Sequence, residues 1–274
     1  MREILTIARL ELVAVSRQRW MRIFAAAFGI LAVAASYSSG AIQELGGADG
    51  FARTTVALVP LVVALVPLAA LLLAVSGQSD DAGEEAFLFT QPVSRSTVVF
   101  ARWLGEAIAL AAALSIGFGA GAIWLAGSVG WAGLARFGIF VAVSIVLALT
   151  FLSLGAAAAT FARRRQTALG IAAFGWFFAV LLYDILAITM AGAIPGRLGA
   201  RVLFVSVLAN PADLARVLAL TLAGTPHVLG AAGDAWLRFL GGPATAITAA
   251  GALLAVWVAA PLAAAAFAIK RRDL

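Results

Sequence analysis

Six apolar stretches, each of nineteen to twenty-five residues, decide what this chain can fold into. They lie at approximately 21–39, 55–77, 103–126, 137–161, 168–192 and 245–268. A helix of about 20 apolar residues crosses roughly 30 Å of hydrocarbon. Backbone groups in lipid must be satisfied within the chain, which a helix does on its own. Only 12% of the 274 residues are charged and 64% are hydrophobic, whereas a soluble domain carries about 25% charged residues. The predicted fold is therefore an all-α integral membrane protein: one transmembrane domain over 1–274 with six transmembrane helices. Pro60 and Pro67 predict a kink or a break in the second span.

Six spans put both termini on one side, and basic residues decide which. With the termini inside, cytoplasmic segments hold 13 of the 19 basic residues, including Arg163-Arg164-Arg165 and Lys270-Arg271-Arg272. The outer segments hold the other 6, Arg53, Arg136, Arg197, Arg201, Arg216 and Arg238. This predicts a multi-pass protein of the bacterial inner membrane with cytoplasmic termini. The net charge of +6 is read as orienting the spans in the lipid bilayer; no nucleic acid is expected as a partner.

Three segments between or before the spans have character of their own. Residues 1–19 carry Arg2, Arg9, Arg17 and Arg19, with Ile4, Leu5, Ala8, Leu12 and Val15 on roughly one helical face. That pattern predicts an amphipathic helix on the membrane surface. Ala32-Val33-Ala34 resembles a signal-peptide cleavage box, but the charged region before the apolar run is too long for one. The segment 79–95, SDDAGEEAFLFTQPVSR, sets Asp80, Asp81, Glu84 and Glu85 before the apolar Phe87, Leu88 and Phe89. Acidic residues suit the start of a short helix, and Pro92 stops it before Arg95. Such a segment has no core of its own and reads as something another protein grips.

The third segment, 193–244, is long for a loop in a bundle and is expected outside, in the periplasm. Within it Asn210-Pro211-Ala212-Asp213 has the order of a helix start: Asn as cap, Pro at the first position, Asp in the first turn. Asp234 to Leu240 reads as a second short amphipathic helix. Gly117-x-x-x-Gly121 permits close helix approach in the third span. Trp131, Trp236 and Trp257 are expected at interface depth.

Several chemistries are missing. There is no phosphate-binding GxxxxGK[ST] loop, and Lys270 is the only lysine. Cysteine is absent, with one histidine, His227, and three methionines. No metal site or catalytic constellation follows from these residues, so the chain is not expected to be an enzyme. The charge placed well inside a span is Asp184, beside Tyr183. A membrane aspartyl protease would need a second aspartate within the membrane, in a Gly-x-Gly-Asp setting. Asp184 is then either a residue of a cavity or gate, or a structural hydrogen-bonding group to a neighbouring helix or subunit. Glu106, near the start of the third span, is expected at the cytoplasmic interface.

The order of these features resembles the membrane subunits of ABC-2 type transporters. In that family the segment after the second span has an acidic cluster, an apolar patch and Pro-Val-x-Arg, matched here by Pro92-Val93-Ser94-Arg95. It departs at Ala86-Phe87, where the family usually has Gly-Thr. The resemblance implies a cytoplasmic coupling helix seated in a separate ABC ATPase subunit, with Asp80, Asp81, Glu84, Glu85, Phe87, Phe89, Pro92 and Arg95 as the coupling residues. It also implies a homodimer with two ATPase copies, ATP and Mg being held by that partner and no cofactor by this chain.

The likeness extends to the branch of the family that serves assembly of the copper–sulfur centre of nitrous oxide reductase. It rests on Ile7 to Leu12, Arg17 to Trp20, Ile116 to Gly119, Tyr183 to Leu186 and Asn210 to Leu214. This implies a periplasmic β-helical, NosD-like partner, with the contact expected at Asn210, Asp213, Arg216, Trp236 and Arg238. A generic exporter of a lipid, drug or peptide, and a non-transporting anchor or mechanotransmitter, are the alternatives. A chain so poor in soft ligands is not expected to pass copper by direct coordination.

Overall fold

The computed structural model describes residues 2–41, 50–79, 94–162, 164–225, 228 and 230–270. Its elements are α1 (Arg2–Arg17), α2 (Arg19–Ala41), α3 (Gly50–Ser79), α4 (Arg95–Val129), α5 (Leu134–Phe161) and α6 (Arg165–Phe177). After a π-helical turn, Phe178–Leu182, come α7 (Tyr183–Ala193), α8 (Arg197–Ala209), α9 (Pro211–Leu222), α10 (Ala231–Leu240) and α11 (Pro243–Lys270). The described residues hold no strand.

Six helical segments are long and apolar enough to cross a membrane: Arg19–Ser38, Gly50–Gly77, Arg95–Ser128, Leu134–Phe161, Arg165–Ala193 and Pro243–Lys270. Each overlaps one of the six apolar stretches. The helices therefore exist where hydropathy puts them. α1 forms as its sequence predicts and buries Ala8 and Val15 of the expected apolar face, but Leu5 of that face stays exposed. It packs against α4 and α2.

The centre of the bundle is α3 against α5, flanked by the α2–α4 pair and by α11 on the far side of α5. An aromatic cluster joins four of these helices. Phe28 meets Phe118 edge-on at 5.0 Å, Phe118 meets Phe140 at 5.3 Å, and Phe51 meets Phe137 at 5.7 Å. Edge-on ring pairs contribute about 0.5–1.5 kcal/mol each beyond the area they bury.

Close approach of backbones depends on a few glycines. A Cβ at Gly155 would fall 2.7 Å from Ala74 Cβ and 3.2 Å from Leu71 Cα. One at Gly121 would fall 3.1 Å from Ala32 O, and one at Gly117 would fall 3.3 Å from Gly29 Cα. The Gly117-x-x-x-Gly121 pair thus forms the α2–α4 contact. Gly155→Val is expected to force α3 and α5 apart, costing about 1–3 kcal/mol or more. A lowered thermal midpoint in detergent reads this directly, and an unchanged midpoint would refute the contact.

α3 runs as one helix from Gly50 to Ser79 through both prolines, so of the kink or break expected there no break occurs. Neighbouring helices can satisfy the backbone that a proline disturbs. Trp176 Nε1 donates to Ala64 O at 2.8 Å, beside the Val63 carbonyl that Pro67 deprives of its helical donor. The discontinuities lie instead in the π-helical turn at Phe178–Leu182 and at Asn210, where α8 and α9 meet at 101°.

The segment expected outside holds a helix that packs into the bundle. α9 is a helix and starts where predicted, but it is buried along nearly its whole length, from Pro211 to Thr221. It packs on α11, α5 and α3. Ala215, Arg216 and Ala219 line one small cavity with Val62 and Val63 of α3 and Leu147 of α5, all mid-span residues. α8 and α9 meet at 101°, the bend of a broken span or a re-entrant loop, and α9 reaches the middle of the bundle. The composition of α9, apolar on most of its circumference, suits that buried position. Trp236 is buried against Phe204, with ring centroids 5.7 Å apart.

Candidate functional site

The bent α8–α9 pair brings together charges that are distant in sequence. Asn210 stands at its apex and begins α9: its Oδ1 accepts from Ala212 N at 3.1 Å, as the cap position requires. Its Nδ2 donates to Ala179 O at 2.7 Å and to Asp213 Oδ2 at 2.9 Å. Ala179 lies in the π-helical turn, where the helical ladder loosens and a carbonyl is available to another segment. One asparagine therefore caps α9, ties it to the fifth span and orients Asp213.

One turn further along α9, Arg216 is held between two carboxylates. Its Nη1 lies 2.6 Å from Asp184 Oδ2 and 3.0 Å from Asp213 Oδ1. Tyr183 OH donates to Ser206 O at 3.0 Å, fixing α7 to α8. The cluster sets two carboxyl groups against one guanidinium. Unpaired, a charge at this depth costs several kcal/mol; held between Asp184 and Asp213, Arg216 turns that cost into a fixed register between α7 and α9.

Of the two readings left open for Asp184, the structure supplies the structural one with a partner, Arg216. Arg216 and Asp184 nevertheless keep 24% and 29% of their side-chain surface exposed. Beside them, Tyr183 and Asn210 edge an otherwise apolar cavity of about 290 Å³, lined also by Phe151, Phe178 and Trp257. A polar face on the fifth span is thus compatible with a water-filled space next to it.

The residues expected to touch a periplasmic partner divide. Asn210, Asp213 and Trp236 are 2%, 7% and 1% exposed, so their side chains are committed inside the chain. Arg216 serves Asp184. Arg238 alone of the five is exposed on α10, where its Nε donates to Asp234 O at 3.1 Å.

The acidic segment's residues Asp80, Asp81, Glu84, Glu85, Phe87, Phe89 and Pro92 lie outside the described residues. Its two ends are described. α3 ends at Ser79, and α4 begins at Arg95 with Ser94 as N-cap, its Oγ accepting from Thr97 N at 3.2 Å. α3 and α4 belong to the most buried part of the bundle, so the segment hangs from two rigid levers. Glu106 was missed as a candidate. It is fully buried in α4, against Gly77 near the end of α3.

Six helices long and apolar enough to cross a membrane, a bent α8–α9 pair and an amphipathic first helix define an all-helical membrane protein. The comparisons give its family. Residues 5–274 match the family described as ABC-2 family transporter protein, and the chain belongs to it. It is 32% identical to a "Probable ABC transporter permease protein NosY" of Pseudomonas aeruginosa over 278 residues, covering 98% of both chains. It is 30% identical over 231 residues to a protein of the same description from Stutzerimonas stutzeri, covering 81% of this chain and 82% of that one.

Proposed function

We propose that this chain is the permease of an ABC complex in the inner membrane, with both termini cytoplasmic. Two copies would receive mechanical work from two separate ATPase subunits. The single observation that carries this reading is full-length similarity to NosY-described permeases, with an acidic, apolar and Pro-Val-Ser-Arg segment between α3 and α4. ATP and Mg are held by the partner. Closure of the ATPases moves the coupling segment, which moves α3 and α4.

The task we assign is support of copper–sulfur centre assembly of nitrous oxide reductase with a periplasmic NosD-like protein. The exposed face of α10, with Arg238 and Phe239, is the surface we assign to that partner. Mechanical transmission without cargo is favoured by a specific observation: the chain has no cysteine and one histidine. Soft ligands are what copper selects. Passage of a sulfur species remains within the same reading, and a generic exporter is the rival.

Affinity purification of the tagged chain from native membranes in mild detergent, followed by mass spectrometry, tests this. An ATPase together with a periplasmic β-helical protein is the expected result. An ATPase alone would hand the function to the generic exporter. A folded chain with no ATPase would overturn the coupling role.

A further inference from the structure

α7 and α8 run antiparallel and meet at two depths. A Cβ at Gly199 would fall 2.7 Å from Ala191 O, so α8 doubles back closely on the end of α7. Further in, Tyr183 OH donates to Ser206 O at 3.0 Å. Along this contact runs a groove of about 430 Å³, walled by Leu186 and Met190 of α7 and by Val202 and Val205 of α8. Phe178 and Tyr183 stand at its inner end, their rings meeting edge-on at 5.8 Å.

Leu186, Met190 and Val205 stay exposed in this groove, and Leu186 and Met190 belong to a segment long and apolar enough to cross the membrane. The medium against them is therefore hydrocarbon. One lining residue is charged. Arg201 of α8 is exposed, and among the described residues it makes no hydrogen bond or ion pair. The lining holds no carboxylate to neutralise it. Arg197, the first residue of α8, stands one turn before it on the same face, and like charges so spaced repel. Arg201 is thus about 6 Å along the axis from the helix start. An arginine at that depth lays its stem on the apolar wall and lifts its charge to the membrane surface.

A cation at the mouth of an apolar trench matches an amphiphile with an anionic head and a hydrocarbon tail. We propose that one anionic phospholipid lies in this groove, a tail along Leu186 and Val205 and its phosphate on Arg201. The guanidinium fork donates two parallel N–H bonds to phosphate oxygens. Lipid tails are alike to an apolar wall, so the headgroup charge makes the selection. A zwitterionic head brings its own cation towards Arg197 and Arg201, whereas an anionic one offsets their repulsion. The bound lipid fastens α8, which leads through the bend into α9, against the end of the fifth span.

The test uses the full chain in nanodiscs of equal parts phosphatidylcholine and phosphatidylglycerol, with native mass spectrometry of the lipid that stays bound. The wild type is expected to retain one phosphatidylglycerol per chain. Its preference over phosphatidylcholine should be about five-fold or more, the gain typical of one basic side chain at an anionic lipid surface. Arg201→Gln is expected to abolish the preference, and Arg201→Lys to keep most of it. Val205→Trp, which fills the groove and leaves Arg201 in place, is expected to lose the bound lipid. Glycerol 3-phosphate, a head without a tail, should not displace it. Equal retention of both lipids by the wild type overturns the proposal, as does a preference that survives either Arg201→Gln or Val205→Trp in folded protein. The chain has no cysteine, so Val205→Cys supplies a single thiol. A disulfide between copies at that position would show that a second copy covers the groove, and would overturn the proposal too.

Discussion

Arg216→Leu is expected to destabilise the chain by about 3–5 kcal/mol, the usual consequence of stripping one partner from a buried ion pair. Asp184 and Asp213 would then face each other without the guanidinium that now lies 2.6 and 3.0 Å from them. The measurement is the thermal midpoint of the detergent-solubilised protein, with monodispersity as a control. Arg216→Lys should recover part of the loss, since a single ammonium restores charge but not the rigid fork of the guanidinium. Asp184→Asn should cost less than Arg216→Leu, because Asp184 is partly exposed and Asp213 keeps the arginine. Adding Asp184→Asn and Asp213→Asn to Arg216→Leu should regain much of the stability. A midpoint for Arg216→Leu equal to wild type would mean the charge cluster does not fasten α9 to the fifth span.

The second large effect is on coupling. Phe87→Ala is expected to weaken ATPase binding by about 2 kcal/mol, roughly 30-fold, as a buried aromatic anchor at an interface does. Charge reversal of Glu84 and Glu85 together should abolish co-purification of the ATPase. Neither change should lower the stability of the permease itself, because the role proposed for this segment is to bind the ATPase. Binding measured by surface plasmon resonance in detergent separates the two properties. Retained binding in the double reversal would show that the acidic cluster is merely solvated.

Much of the bundle was legible from residue order. The Asn210-Pro211-Ala212-Asp213 start of α9 was readable because capping is a local matter: Asn210 Oδ1 reaches Ala212 N two residues away. The burial of that helix in the bundle was not readable. Arg216's partner Asp184 is 32 residues distant, and no periodicity records such a pairing. The burial of Glu106 was not readable for a similar reason, since α1 packs close to α4 at Gly105.

The six spans, the amphipathic first helix and the membrane class were settled by sequence alone, because hydrocarbon imposes length and apolarity on each span separately. Tertiary structure alone decided that α9 packs into the bundle and that Asp184, Arg216 and Asp213 form one cluster. It alone set Arg201 beside an apolar groove. A short helix goes wherever its apolar faces and its few charges can be satisfied together, and that is a property of the assembled bundle.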